Sequence, residues 1–220
     1  MYTATQARLR APGNNSRHRF RFAAPLIGLT AGAAFATDAA TLVLFDFNDA
    51  ANTLELTPEV IAPGVTASLF SDTAGTLTSG AGNPGRAVSA RTWLDGNAWH
   101  FTLEPLPGYT LSLDGFSFDD LASGTGPKTW TLQIEGDSAA TGATTTSVFG
   151  THGGAFAPGS STSPIGIALL GTGASSNSGT WRIDNFALTG VVAPVPVPAA
   201  FVLLLSGIAG LVGLRIGASV

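Results

Sequence analysis

Between residues 41 and 190 no stretch keeps a sustained 3.6-residue apolar period, which argues against a helical body. The nearest approach, around residues 50–60, is interrupted by Pro58. Apolar residues alternate instead. Thr41–Phe47 presents Val43, Phe45 and Phe47 on one side, and Ala98–Leu103 sets Trp99, Phe101 and Leu103 against His100 and Thr102. Thr129–Ile134 repeats the pattern, and further strands are expected at Val65–Phe70, Tyr109–Phe118, Ser163–Leu170 and Gly179–Gly190. Turn residues separate these runs, at Pro63-Gly64, Gly80–Gly85 and Pro105–Gly108. The 28 glycines and the charged fraction of only 11% suit turn-rich β structure. About eight strands at roughly 8–20-residue spacing predict an all-β fold, an antiparallel β-sandwich that is jelly-roll-like. Residues 136–163, almost wholly Gly, Ala, Ser and Thr, predict weak edge strands and a long loop.

Two changes of apolar parity predict bulges. One falls between Leu113 and Phe116, at Gly115. The other lies at Asp184-Asn185, where Trp181/Ile183 gives way to Phe186/Leu188.

The two ends of the chain differ from the body. Residues 1–36 carry five arginines and no acid and finish in an apolar run, Ala23–Ala36. Its last residues, Ala34-Phe35-Ala36, have the small-x-small form of a signal-peptidase site, so residues 1–36 are read as a signal peptide cut after Ala36. The arginines are not paired, which favours export through the Sec translocon. At the other end, residues 191–198 form a proline-rich linker with Pro194, Pro196 and Pro198 at alternate positions. Residues 199–215 read as a transmembrane helix, uncharged up to Arg215, and residues 216–220 as a short tail. Sixteen residues at about 1.5 Å rise give about 24 Å, slightly under a hydrocarbon core of about 30 Å, with Arg215 able to snorkel. The domain of the mature chain is accordingly expected over residues 37–190.

The proline motif Val195-Pro196-Val197-Pro198-Ala199, the apolar segment behind it and the basic Arg215 resemble the PEP-CTERM class of sorting signals, and within it the VPLPA variant. The sequence departs from that variant with Val197 in place of leucine and a single arginine in place of a run. The resemblance implies processing by an exosortase, transient anchoring in the inner membrane, and release or attachment at the cell surface. The body resembles sandwich domains joined to such tails, through Trp99–Leu103, residues 107–113, Phe116–Asp119, Ser123–Pro127 with Trp130, and Trp181–Leu188. Its first and last strands also resemble carbohydrate-binding jelly rolls, which often hold a structural calcium between their terminal strands. That resemblance makes Asp46, Asn48, Asp49 and Asp184 candidate calcium ligands, on strands expected to pair at the sandwich edge. No Asp-x-Asp-x-Asp-Gly loop is present, and the plain alternative is that these acids form strand-end turns.

Charge and residue types exclude several functions. Residues 37–196 hold fourteen acids against Arg86, Arg91, Lys128 and Arg182, a balance of −10 that argues against nucleic-acid binding. Without cysteine there is neither a disulfide nor thiolate chemistry. Beyond the signal segment only His100 and His152 remain, outside any metal-ligand spacing, and Gly-x-Ser-x-Gly is absent. Gly150–Gly154 lacks the lysine and the strand-to-helix setting of a phosphate loop. The pair Asp119-Asp120 is expected in a solvated turn, since neighbours on a strand point to opposite faces and cannot cooperate across a glycosidic bond. Of the four tryptophans, Trp99, Trp130 and Trp181 alternate in phase with aliphatic residues and are expected in the core. Trp93, at a strand-to-loop junction, is the candidate for stacking on a sugar, with residues 122–128 nearby. The predicted role is structural or adhesive within an extracellular polysaccharide or biofilm matrix. A non-catalytic carbohydrate-binding module is the alternative, and a glycan hydrolase a remote one.

Overall fold

The computed structural model describes residues 39–196, except Ala50, Asn52, Thr76 and Pro158. The cleavage site at Ala34 and Ala36, and Val197, Pro198, Ala199 and Arg215 of the sorting signal, lie outside the described residues. No helix among the described residues is long and apolar enough to cross a membrane.

Fourteen strands are described, and every pairing is antiparallel. In chain order they are β1 (Ala40–Phe45), β2 (Val60–Ile61), β3 (Val65–Ala67), β4 (Ser71–Asp72), β5 (Leu77–Ala81), β6 (Arg86–Ala90) and β7 (Ala98–Pro105). Then come β8 (Tyr109–Ala122), β9 (Thr129–Ile134), β10 (Asp137–Ala143), β11 (Gly150–Ala155), β12 (Ser160–Ser161), β13 (Ile165–Thr172) and β14 (Trp181–Pro194). One sheet of eight strands runs β11-β8-β14-β1-β2, with β12 beside β8, β6 beside β14 and β5 beside β6. The other, of six, runs β10-β9-β13-β7-β3, with β4 beside β7.

The inner faces of the two sheets meet through aromatic rings. Phe45 of β1 and Phe186 of β14 both pack edge-on against Phe101 of β7, at 4.9 and 5.4 Å between centroids. Phe118 of β8 meets Trp130 of β9 edge-on at 5.2 Å. The expected alternation is borne out: Trp99, Phe101 and Leu103 are buried, whereas His100 is exposed and Thr102 half-buried.

Both predicted bulges are present. Along β8 and β14 the register slips between Thr189 and Gly190, opposite Gly115, and again between Asp184 and Ala187. At the second, Asn185 takes φ 49°, in the left-handed region that asparagine tolerates better than most residues. This turns Asp184 and Phe186 to their observed sides of the sheet.

Four expectations need correction. There are more strands than eight, because short or polar pieces such as β2, β4 and β12 pair along existing strands without an apolar pattern of their own. Gly80-Ala81, expected as loop, finish β5. Asp119 and Asp120 form no solvated turn; they lie within β8 at 6% and 0% exposure. A strand holds buried carboxylates when each finds hydrogen-bond donors, as both do here. Finally, β1 and β14 do pair, but in the interior of the eight-stranded sheet, and β14 continues past residue 190 to Pro194. Val191, Val192 and Ala193 face Ser112, Leu111 and Thr110, and proline is tolerated at the strand's last position.

Candidate functional site

Three clusters of polar groups stand out among the described residues. The first lies on the outer face of the eight-stranded sheet, where the register sets Asp184 of β14 directly opposite Asp119 of β8. The loop between β5 and β6 roofs this pair. It contains a cis Asn83-Pro84 bond, and Gly82 lies so close that an added Cβ would stand 2.4 Å from the Arg86 carbonyl oxygen and 2.5 Å from Asp184 Oδ2. Asn83 N–H donates to Asp184 Oδ2, and Asn185 N–H donates to Asp184 Oδ1 at 2.9 Å. Asp119 Oδ2 accepts from Asn185 Nδ2 at 2.9 Å and from Asn83 Nδ2 at 3.4 Å, while Thr151 Oγ1 donates to Asp119 Oδ1 at 2.6 Å.

Burial pushes the Asp184 carboxyl up to about 6; the Asn83 and Asn185 N–H groups oppose this, and the charges of Asp119 and Asp46 add to it. Asn48 is tied to the same corner, accepting from Arg86 N–H at 2.6 Å and donating from Nδ2 to the Asp46 carbonyl at 2.7 Å. Asp49 is turned to its own loop. There its carboxylate accepts from Ala51 N–H and from the Thr53 hydroxyl and N–H, and the Thr53 hydroxyl leads in holding it below the usual carboxylate range. Of the four expected calcium ligands, Asp46, Asn48 and Asp184 are therefore drawn to one corner, Asp49 is engaged elsewhere, and Asp119 joins them. Among the described residues no group of three His, Cys, Asp or Glu side chains is placed to hold a metal ion. The oxygens of Asp184 and Asp119 already accept N–H and O–H donors.

The second cluster lies between the sheets. Asp120 accepts from Trp181 Nε1 at 2.9 Å and Thr145 N–H at 3.0 Å, and its Oδ1 is 2.8 Å from His152 Nε2. The His152 ring packs against Phe118 and Trp130 at 5.0 and 5.3 Å. The hydroxyl in this network, Thr145 Oγ1, donates to the Asp120 carboxylate at 2.5 Å and not to the imidazole, so the geometry is not that of an activated nucleophile. Asp119 and Asp120 face opposite sides of the sheet, as strand alternation requires.

The third lies on the outer face of the six-stranded sheet. There Gly166 and Ala168 of β13 form a low floor between Thr102 and His100 of β7 on one side and Gln133 of β9 and Glu135, which follows β9, on the other. The resulting groove has a volume of about 330 Å³. Its walls offer an imidazole, a hydroxyl, an amide and a carboxylate, the groups that hydrogen-bond sugar hydroxyls.

Trp93 does not serve as a platform. It is 0% exposed, its Nε1 donates to the Gly171 carbonyl at 3.0 Å, and it packs edge-on against Trp181 at 4.9 Å. Pro127 of the 122–128 loop packs at the same point, where a Cβ on Gly171 would meet both Trp93 Nε1 and Pro127 Cβ. The loop and the indole are brought together as expected, but they close the core and leave no stacking surface. A tryptophan beside a loop sequence says nothing about whether that loop folds back over it. The groove was missed because its floor is defined by what Gly166 and Ala168 lack and becomes visible only when three strands are aligned.

No protein-family model and no curated protein matches the sequence. Solved structures resemble it distantly. A tandem of CBM22 modules from Paenibacillus barcinonensis Xyn10C is 17% identical with a TM-score of 0.43, over 76% of this chain and 50% of that one. The CBM22-1–GH10 modules of Clostridium thermocellum xylanase 10B, solved with xylohexaose, are 16% identical with a TM-score of 0.40, over 71% of this chain and 30% of that one. The K3 cleaved adhesin domain of Lys-gingipain from Porphyromonas gingivalis is 12% identical with a TM-score of 0.41, over 69% of this chain and 98% of that one. The chain thus spans half the length of the first of these and under a third of the second. Likenesses this distant do not assign it a ligand.

Proposed function

We propose that this is an exported surface protein with a structural or adhesive role in an extracellular polysaccharide or biofilm layer, delivered as an exosortase substrate. One observation carries the delivery reading: the last strand, β14, ends one residue before the sorting motif begins. Pro194 ends β14, and Val195 N–H donates to the Gly108 carbonyl at 2.8 Å as the last backbone tie of the described chain. A cut within Val195–Ala199 therefore removes the tail without removing a strand. Signal peptidase would act after Ala36 following Sec export, and the tail would hold the chain in the inner membrane until processing. Mass spectrometry of the mature protein from cells with and without the exosortase tests this. Loss of residues beyond the motif only when the enzyme is present supports it, and an identical intact C-terminus in both strains refutes it.

The groove beside His100 and Gln133 favours a second reading, a carbohydrate-binding module without catalysis. Affinity for matrix polysaccharide that falls on Gln133→Ala, with folding unchanged, would support it. The remote reading, a glycan hydrolase, would need turnover of released glycans. A structural calcium at the Asp46–Asp184 corner also remains a proposal. Isothermal titration of calcium into the chelator-treated domain supports it if heat is evolved and removes it if none is.

A further inference from the structure

The tip of the sandwich from which the C-terminal segment emerges is built of apolar and uncharged polar residues, bordered by exposed Glu59 and by exposed Glu104, which is paired with Thr66. Four stretches meet there: residues 39–43, 60–67, 105–111 and 190–196. None contains Asp, Glu, Lys, Arg or His, in a body whose balance is −10. They are in direct contact. Tyr109 is paired with Pro194, Gly64 O accepts from Leu106 N–H, and a Cβ on Gly64 would touch Val192 Cγ1 at 2.9 Å and Tyr109 Cδ1 at 3.0 Å. Ala40, Leu42, Ala62, Pro63 and residues 190–192 line an adjoining apolar recess of about 310 Å³. Four large apolar side chains stand exposed on this end: Ile61 at 40%, Leu106 at 40%, Tyr109 at 38% and Val195 at 41%.

The length of chain beyond the sandwich limits what can cover this surface. The uncharged stretch 199–214 begins three residues after Pro196, the last described position. Three residues reach about 10 Å even when extended. The polar headgroup zone on each side of a bilayer core is about 5–8 Å thick, from a total of about 40–45 Å around a core of about 30 Å. With the tail inserted, the tether holds this end of the sandwich within or against the headgroups. A tip that exposes a tyrosine and three aliphatic side chains suits the interface, with Glu59 and Glu104 set at its border.

We infer that, before processing, this apolar tip is a lipid-seating surface. It holds the sandwich upright on the membrane, with the proline motif at headgroup level. The inference rests on the membrane-tail reading of the proposed function.

The chain has no cysteine, so single probes can be placed cleanly. The full-length chain, with Leu106→Cys or Ile61→Cys carrying an environment-sensitive fluorophore, is reconstituted in phosphatidylethanolamine/phosphatidylglycerol vesicles containing headgroup-nitroxide lipid. Leu94→Cys is the control. Leu94 is 49% exposed and precedes β7, whereas Leu106 follows it, so the eight residues of β7 separate them by about 26 Å at about 3.3 Å each. Blue-shifted emission and quenching at 106 and 61, with neither at 94, are expected. Equal or absent quenching at the three positions overturns the inference. Carbonate extraction of the same samples separates the two failures: protein that resists extraction keeps the tail reading, and protein that washes off ends both. Shielding of residue 106 only in membranes that contain the processing enzyme would also overturn it, in favour of a protein contact.

Discussion

At the scale of single residues, the four tryptophans share one core but differ in how their N–H groups are satisfied. Trp93, Trp130 and Trp181 donate to Gly171 O, Ala143 O and Asp120 Oδ2, while Trp99 Nε1 has no partner among the described residues. Trp93→Phe therefore loses a hydrogen bond and orphans a carbonyl, whereas Trp99→Phe removes an unmet donor. Chemical denaturation is expected to show Trp93→Phe as the costlier change by about 1 kcal/mol. Asp184 gives a pH signature. Its carboxyl, held near 6 when folded against 3.8 in the free residue, binds its proton more tightly in the native state. Its contribution to stability is thus fullest at low pH and is lost as pH rises from about 4 to about 6. Melting curves across that window should flatten in Asp184→Asn, and an unchanged slope would assign the effect to another group. Gly82 has no room for a side chain, because a Cβ would press on backbone as well as on Asp184. Gly82→Ala is expected to destabilise by about 1–3 kcal/mol, read from the denaturation midpoint.

Among the elements, β14 is central to the eight-stranded sheet, pairing with β8, β1 and β6. Its last four residues bear on where the domain ends. A chain stopped after Pro196 keeps the whole strand. One stopped after Gly190 loses the pairing of Val191–Pro194 with Tyr109–Ser112 and uncovers buried Leu111. The first should melt like the longer chain. The second should unfold at least several degrees lower, since uncovering one large aliphatic side chain alone costs about 1.5–3 kcal/mol. Equal melting temperatures would mean that residues 191–194 contribute nothing to the sheet. The parity changes at Gly115 and Asp184-Asn185 made both bulges of this strand pair legible in sequence. The run of β14 beyond residue 190 was obscured by prolines that read as linker.

For the molecule as a whole, the buried side chains form one core shared by both sheets, with no disulfide to hold a part separately. The described domain should lose its tryptophan fluorescence signature and its β-sheet circular dichroism in a single coincident transition. Two separated transitions would show that the sheets unfold independently. The distribution of polarity is equally global: an acidic body with an apolar tip, where Ile61, Leu106, Tyr109 and Val195 are exposed.

What the sequence determined by itself was whatever depends on near neighbours along the chain. Period-two alternation in Ala98–Leu103 and Thr129–Ile134 set those strands and their buried faces, and parity shifts located the bulges. Absent cysteine and scarce histidine removed whole chemistries. What only the tertiary structure decided were relations between distant segments. The 122–128 loop closes over Trp93; Asp119 and Asp120 turn to opposite sides of a buried strand; Asp184 meets Asp119 of the neighbouring strand and Asn83 of the loop that covers them. Burial and hydrogen bonding are properties of places, and the place of a side chain is set by residues a hundred positions away.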